Sequence, residues 1–169
     1  MSDRYRRPVT TRQRVLDAVT LVARLGLAAV WLVSGSIKAA DLTQTRLAVR
    51  AYRLLPVSVA DTVGLILPFL ELALGLLLLV GLATRLTAVL SAVVLLVFIG
   101  GVASAAARGL SIDCGCFGGG GQVAAGQTAY TAEILRDTGF LVLAAVLVRW
   151  PWTPLSVDRF VLDRAASRA

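Results

Sequence analysis

Apolar residues fall along this chain in four long runs separated by short polar punctuation. The first three cover Val15–Ile37, Val59–Ala83 and Leu86–Ala107. Each reaches the roughly 20 residues that carry a helix across a ~30 Å hydrocarbon core. The fourth, Thr138–Trp152, is shorter, and its helix is expected to begin earlier, near Thr128 to Tyr130. That start leaves Glu133, Arg136 and Asp137 at the membrane surface or facing the bundle. No alternating barrel pattern is present, and helices satisfy their own backbone amides in lipid. The pattern therefore predicts an all-α integral membrane four-helix bundle with spans at about 15–37, 59–83, 86–107 and 130–150. One membrane domain over residues 1–169 is expected. The first run is too long for a signal-peptide core and leads into more membrane, so it reads as a span.

The loop between the first two spans has a pattern of its own. Asp41-x-x-Gln44 resembles a capping box that opens a helix. Arg46, Arg50 and Arg53 then share one face at helical spacing, and Pro56 is expected to stop the helix. A short amphipathic helix lying in the interface follows, either anchoring the loop or roofing the outer end of the bundle. Leu155–Arg168 reads as a weaker amphipathic segment at the other surface. Trp31 lies within the first span, whereas Trp150 and Trp152 flank the inner end of the fourth as an aromatic belt does.

Composition agrees with lipid as the solvent. Of the 169 residues, 57% are hydrophobic and 16% charged, with a mean hydropathy of +0.80. A water-soluble domain of this size would lack the polar surface to stay dispersed. The net charge of +7 comes from arginines that flank the apolar runs, a pattern that suits anionic headgroups and not nucleic acid. Placing both termini in the cytoplasm puts ten basic residues inside (Arg4, Arg6, Arg7, Arg12, Arg14, Arg85, Arg149, Arg159, Arg164, Arg168) against six outside (Lys38, Arg46, Arg50, Arg53, Arg108, Arg136). This bias favours N-in, C-in topology in the bacterial inner membrane, with the segment around residue 115 extracytoplasmic. Disulfides persist on that side.

The chain has two cysteines, no histidine and a single methionine at position 1. A Cys-His catalytic pair is excluded, and no metal site is expected from the chain alone. Cys114-Gly115-Cys116-Phe117 precedes a run of glycines, Gly118 to Gly121. A disulfide across one residue closes a small, strained ring, and strained, exposed disulfides are the exchangeable kind. Glycine in the middle tolerates the backbone this requires. A stabilising staple is disfavoured, since so short a loop restricts little chain entropy. Inert free thiols and half of a metal site completed by a partner are the remaining readings.

Charges within the spans form a second group of candidates. Glu71 lies well inside the second helix, one turn after Pro68, and needs a partner or a polar cavity. Arg24 in the first helix is the expected partner. That pair serves either to fix helix register or to provide a proton or quinone-headgroup site. Lys38, the single lysine among sixteen arginines, closes the first helix. It either snorkels to headgroups or holds a carboxylate or thiolate. Arg136 is a second cation near the thiols, and either cation would lower a cysteine pKa.

Gly35-Ser36-Ile37-Lys38, the segment Tyr52-Arg53-Leu54-Leu55-Pro56, and Leu67-Pro68-Phe69-Leu70-Glu71-Leu72 with Gly75 resemble the first half of the DoxX/MauE family of small bacterial membrane proteins. Cys114-Gly115-Cys116-Phe117-Gly118 is similar to the cysteine motif of its MauE branch. The resemblance spans roughly Arg24 to Val148 and implies a four-helix membrane protein linked to thiol–disulfide metabolism outside the cytoplasm. The architecture is also similar to DsbB and vitamin K epoxide reductase, quinone-linked oxidoreductases that carry two cysteine pairs where this chain has one. Together these features lead to a membrane thiol–disulfide redox protein. Cys114 and Cys116 would exchange with a thioredoxin-like partner or a membrane carrier, supported by Arg24, Lys38, Glu71 and Arg136. The rival readings are a non-enzymatic assembly or scaffold subunit of a larger membrane complex, and a small transporter.

Overall fold

The computed structural model describes residues 10–124 and 126–158. Five helices carry the chain: α1 (Thr11–Ala40), α2 (Leu42–Ala51), α3 (Val57–Val80), α4 (Thr84–Ala107) and α5 (Tyr130–Arg149). Between α4 and α5, β1 (Ile112–Asp113) pairs antiparallel with β2 (Gly121–Gln122). This small ladder is an addition to the all-α expectation. Three helices, α1, α3 and α4, are long and apolar enough to cross a membrane. The 20 residues of α5 include Glu133, Arg136, Asp137 and Arg149, and it falls outside that group.

Each boundary has a local cause. Thr10 caps α1 by accepting the Gln13 N–H, and Asp41 caps α2 by accepting the Gln44 N–H at 2.9 Å, as the Asp41-x-x-Gln44 pattern predicts. Two details of that segment differ from the sequence reading. Arg53 has φ +50 and lies beyond the end of α2, so only Arg46 and Arg50 belong to its face. Pro56 does not end α2; it precedes the first residue of α3, where its fixed φ suits a helix start. Gly81 ends α3 in the left-handed conformation, a position open to glycine without steric cost. At the next helix, Asp158 accepts the N–H groups of Ala83 and Thr84 at 2.7 and 2.8 Å, which satisfies two free donors at the start of α4. The weak amphipathic segment expected over Leu155–Arg168 lies outside the described residues from position 159 onward.

Apolar side chains occupy both the interior and the exterior. Leu27, Trp31, Leu74, Leu78, Leu95 and Leu147 form the core. Arg24, Ser34, Lys38, Glu71, Ser91, Glu133 and Asp137 are buried with it. Val22, Ile66, Leu76, Val97 and Val142 instead point outward. An apolar exterior around polar interior groups is the arrangement that lipid favours. Among the interior groups, Trp31 donates from Nε1 to Ser91 Oγ at 3.0 Å, which joins α1 to α4.

Helices α1 and α3 run antiparallel in close contact because glycine occupies the crossing points. A Cβ on Gly35 would lie 3.0 Å from Leu72 Cγ, and one on Gly75 would lie 2.7 Å from Leu32 Cγ. These two contacts fix the register: residue 71 faces the 34–38 level of α1, and Arg24 comes level with Gly81.

Gly75→Leu should therefore push α1 and α3 apart, at a cost of about 1–3 kcal/mol. Gly26→Ala is the control, since its Cβ would find its nearest neighbour, Leu143, at 3.8 Å. Thermal unfolding in detergent should show a clear loss for the first variant and little change for the second. Equal melting of the two would refute the register argument.

Candidate functional site: a dithiol loop over a buried ion pair

The glycines that follow the cysteines let the loop fold back onto α2. Gly115 has φ +67, and Gly120 approaches so closely that an added Cβ would lie 2.6 Å from Ala48 Cβ. Gln44 holds this fold by donating from Nε2 to the carbonyls of Gly119 and Gly120 at 3.2 and 2.7 Å. Asp113 holds it from the other side, accepting the N–H groups of Gly115 at 3.2 Å and Gly120 at 3.3 Å. Tyr130 ties down the approach to the loop, accepting the Ile112 N–H and donating to the Leu110 carbonyl.

Below the loop, Ser34 donates to the Cys116 carbonyl, with an oxygen–oxygen distance of 2.7 Å. Its hydroxyl also lies 2.9 Å from Glu71 Oε2 and 2.9 Å from Lys38 Nζ. Lys38 is ion-paired with Glu71 and sits 5.2 Å from the centre of the Phe98 ring. Glu71 is fully buried. The expected Arg24–Glu71 pair is thus replaced by Lys38–Glu71. The reason is the glycine-set register, since Arg24 precedes Ser34 by ten residues, or ~15 Å along a helix. Arg24 instead donates from Nη2 to the carbonyls of Pro154 and Leu155 at 3.3 and 3.1 Å. It belongs to the opposite end of the molecule and takes no part in the thiol site.

Both cysteines are free thiols, Cys114 half-buried and Cys116 buried. They differ in chemistry as well as in exposure. The neighbouring Cys116 thiol pulls the Cys114 pKa below its ordinary value; the Cys116 N–H and Arg136 add to this against the effect of burial. The N–H contact is 3.2 Å and Arg136 Nη2 lies 3.8 Å from Sγ. The same contact with Cys114, and then burial, push the Cys116 thiol upward. Arg136 is itself fixed by Asp137 at 3.0 Å and by the Phe117 ring, 4.9 Å from its guanidinium carbon. Tyr52 donates to the Cys114 carbonyl at 3.4 Å, and burial raises its phenol pKa.

Of the residues expected from sequence, the structure thus brings together Cys114, Cys116, Lys38, Glu71 and Arg136. Sequence reasoning missed Ser34, Gln44, Tyr52 and Asp113. A signal existed for two of them: Ser34 precedes Lys38 by one helical turn, which places both on one face, and Asp113 adjoins the first cysteine.

A helical membrane protein with a cysteine pair seated on a buried ion pair defines the class. The family model described as methylamine utilisation protein MauE matches residues 16–149. The chain belongs to that family. No curated protein and no solved structure matches it.

Two outcomes follow from the site. Glu71→Ala leaves the Lys38 ammonium buried without its counter-charge and should cost ~3–5 kcal/mol. Glu71→Gln should cost less, because its amide oxygen still accepts from the Lys38 ammonium, and the Lys38→Met/Glu71→Met double variant should regain most of the stability. Detergent melting curves read all three, and a Glu71→Ala protein as stable as the parent would remove the pair from the architecture. Alkylation against pH reads the thiols. Cys114 should react with a midpoint below the ~8.5 of a free thiol, while Cys116 stays unmodified across that range. Arg136→Gln removes a donor to the sulfur and should move the Cys114 midpoint upward; an unchanged midpoint would count against the Arg136 contact.

Proposed function

We propose that this MauE-family protein is a thiol–disulfide redox protein. It would exchange electrons between Cys114–Cys116 and an extracytoplasmic thioredoxin-like partner or a membrane carrier, for which a quinone is the class that a bilayer supplies. In this reading the chain is one membrane domain, a four-span bundle in which α5 joins α1, α3 and α4 and α2 lies in the interface. Both termini face the cytoplasm of a bacterial inner membrane, with the cysteine loop outside. The arginine bias supports that orientation.

The observation that carries the proposal is the inequality of the two thiols. Cys114 is half-buried and less enclosed than Cys116, and its sulfur is met by donors that favour the thiolate; Cys116 is buried and its thiol is held protonated. That is the division between an attacking and a resolving cysteine. The Cys114 thiolate attacks one sulfur of a partner disulfide, forming a mixed disulfide, and the partner's other sulfur leaves as a thiolate. Cys116 then loses its proton and attacks Cys114 Sγ. The Cys114–Cys116 disulfide forms, and the second partner sulfur departs, so two electrons have passed to the partner. The same steps in reverse oxidise a partner dithiol. Ser34 holds the Cys116 carbonyl, and the Lys38 charge lies close enough to favour the Cys116 thiolate in the second step.

Cys116→Ser should accumulate a mixed disulfide through Cys114, visible as a reducible higher-mass band in membranes, and Cys114→Ser should not. If neither variant traps a partner and both retain full activity in complementation, the redox reading fails and a scaffold role replaces it.

A further inference from the structure

We propose that Asp113, Cys114 and Glu133 form a binding site for a divalent cation of the zinc class. One donor atom from each residue, the Cys114 sulfur and a carboxylate oxygen from each acid, lies within 4.8 Å of the other two. The acids come from opposite sides of the loop, Asp113 from β1 and Glu133 from the first turn of α5.

Glu133 is the observation that points to an occupant. It is 6% exposed, yet its Oε2 is buried and has no hydrogen-bond partner. Its Oε1 has only a long contact, 3.5 Å, with the Cys114 N–H. A carboxyl group removed from water with one oxygen unsatisfied is costly, and a cation on that oxygen removes the cost. No protein cation does so: Arg136 is committed to Asp137 and to Cys114 Sγ, and neither Glu133 nor Asp113 has an ion-pair partner among the described residues. The backbone donors of Gly115 and Gly120 hold Asp113 in place while each of its oxygens keeps a free lone pair.

The donor set selects the ion. Sulfur disfavours magnesium and calcium, and two carboxylates disfavour copper(I), whereas one thiolate with two carboxylates suits zinc. Ligands around tetrahedral zinc stand about 3.5 Å apart, so the three donors draw closer together when the ion binds. The fourth position is left to water. Binding displaces the Cys114 proton, forming a sulfur–metal bond and releasing H⁺. Where the thiols exchange electrons as proposed above, the bound ion occupies the attacking sulfur and shields the pair from partner and oxidant alike.

Cobalt(II), added to the reduced full-length protein in detergent, tests the site with no partner present. One equivalent should give a sulfur-to-cobalt charge-transfer band, and Cys114 should become protected from maleimide. Cys114→Ser should abolish the band, Glu133→Gln should weaken binding roughly tenfold or more, and Cys116→Ser should leave it in place. Each variant is accepted only if its melting curve matches the parent, and Glu133→Asp supplies a second carboxylate variant if Glu133→Gln does not fold. A band that survives Cys114→Ser, that needs Cys116, or that ignores both Glu133 variants would overturn the proposal. None of these results depends on trapping a partner through Cys116→Ser, so the metal site and the redox reading can fail separately.

Discussion

The Ser34 hydroxyl is the point through which the interior and the loop are joined. It touches the Cys116 carbonyl, the Glu71 carboxylate and the Lys38 ammonium within a single buried cluster. In a low-dielectric interior each of these groups is costly alone and tolerable only when all are satisfied together. The loop is consequently a participant in the burial of the charges, since its carbonyl completes the coordination of Ser34. Conversely, the charges hold the second cysteine down against the helices. The glycines at 35 and 75 are what allow this: they bring α1 and α3 close enough for Lys38 and Glu71 to meet.

The pattern of apolar runs showed where the long helices lie because lipid demands length and hydrophobicity from each of them, and both are local properties of sequence. The partner of Glu71 is a different kind of quantity. It depends on which residues of α1 stand opposite which residues of α3, and that is set by two close contacts, Gly35 on Leu72 and Gly75 on Leu32. Counting depth from the apparent ends of the runs brought Arg24 towards Glu71, whereas the contacts place it at the level of Gly81. The end of α2 was misjudged for a related reason. Arg53 continues the spacing of Arg46 and Arg50, but its backbone has already turned to positive φ. The cysteine pair was legible as a motif. Its surroundings were not, because Gln44 and Tyr52 reach it from α2 and its C-terminal cap, and Glu133 from α5, far apart in the chain.

The two sides of the pair pull it in different directions, and this bears on how it works. Cys114 faces donors: the Cys116 N–H, and Arg136 stacked on Phe117. Cys116 faces the bundle, held through its carbonyl. Gly115, between the two cysteines, has φ +67 and is packed against Ala48 of α2, 3.1 Å from where its Cβ would be. Gly115 touches α2 and the Cys116 carbonyl touches Ser34, so the cysteine segment is held by helices at both points. The cysteine segment is therefore joined by contact to the loop clamp of Gln44 on one side and to the Lys38–Glu71 pair on the other. Interiors packed to this density shift between discrete arrangements and do not deform smoothly. The contacts that favour a thiolate at Cys114 thus belong to the same loop that the helices beneath it hold in place.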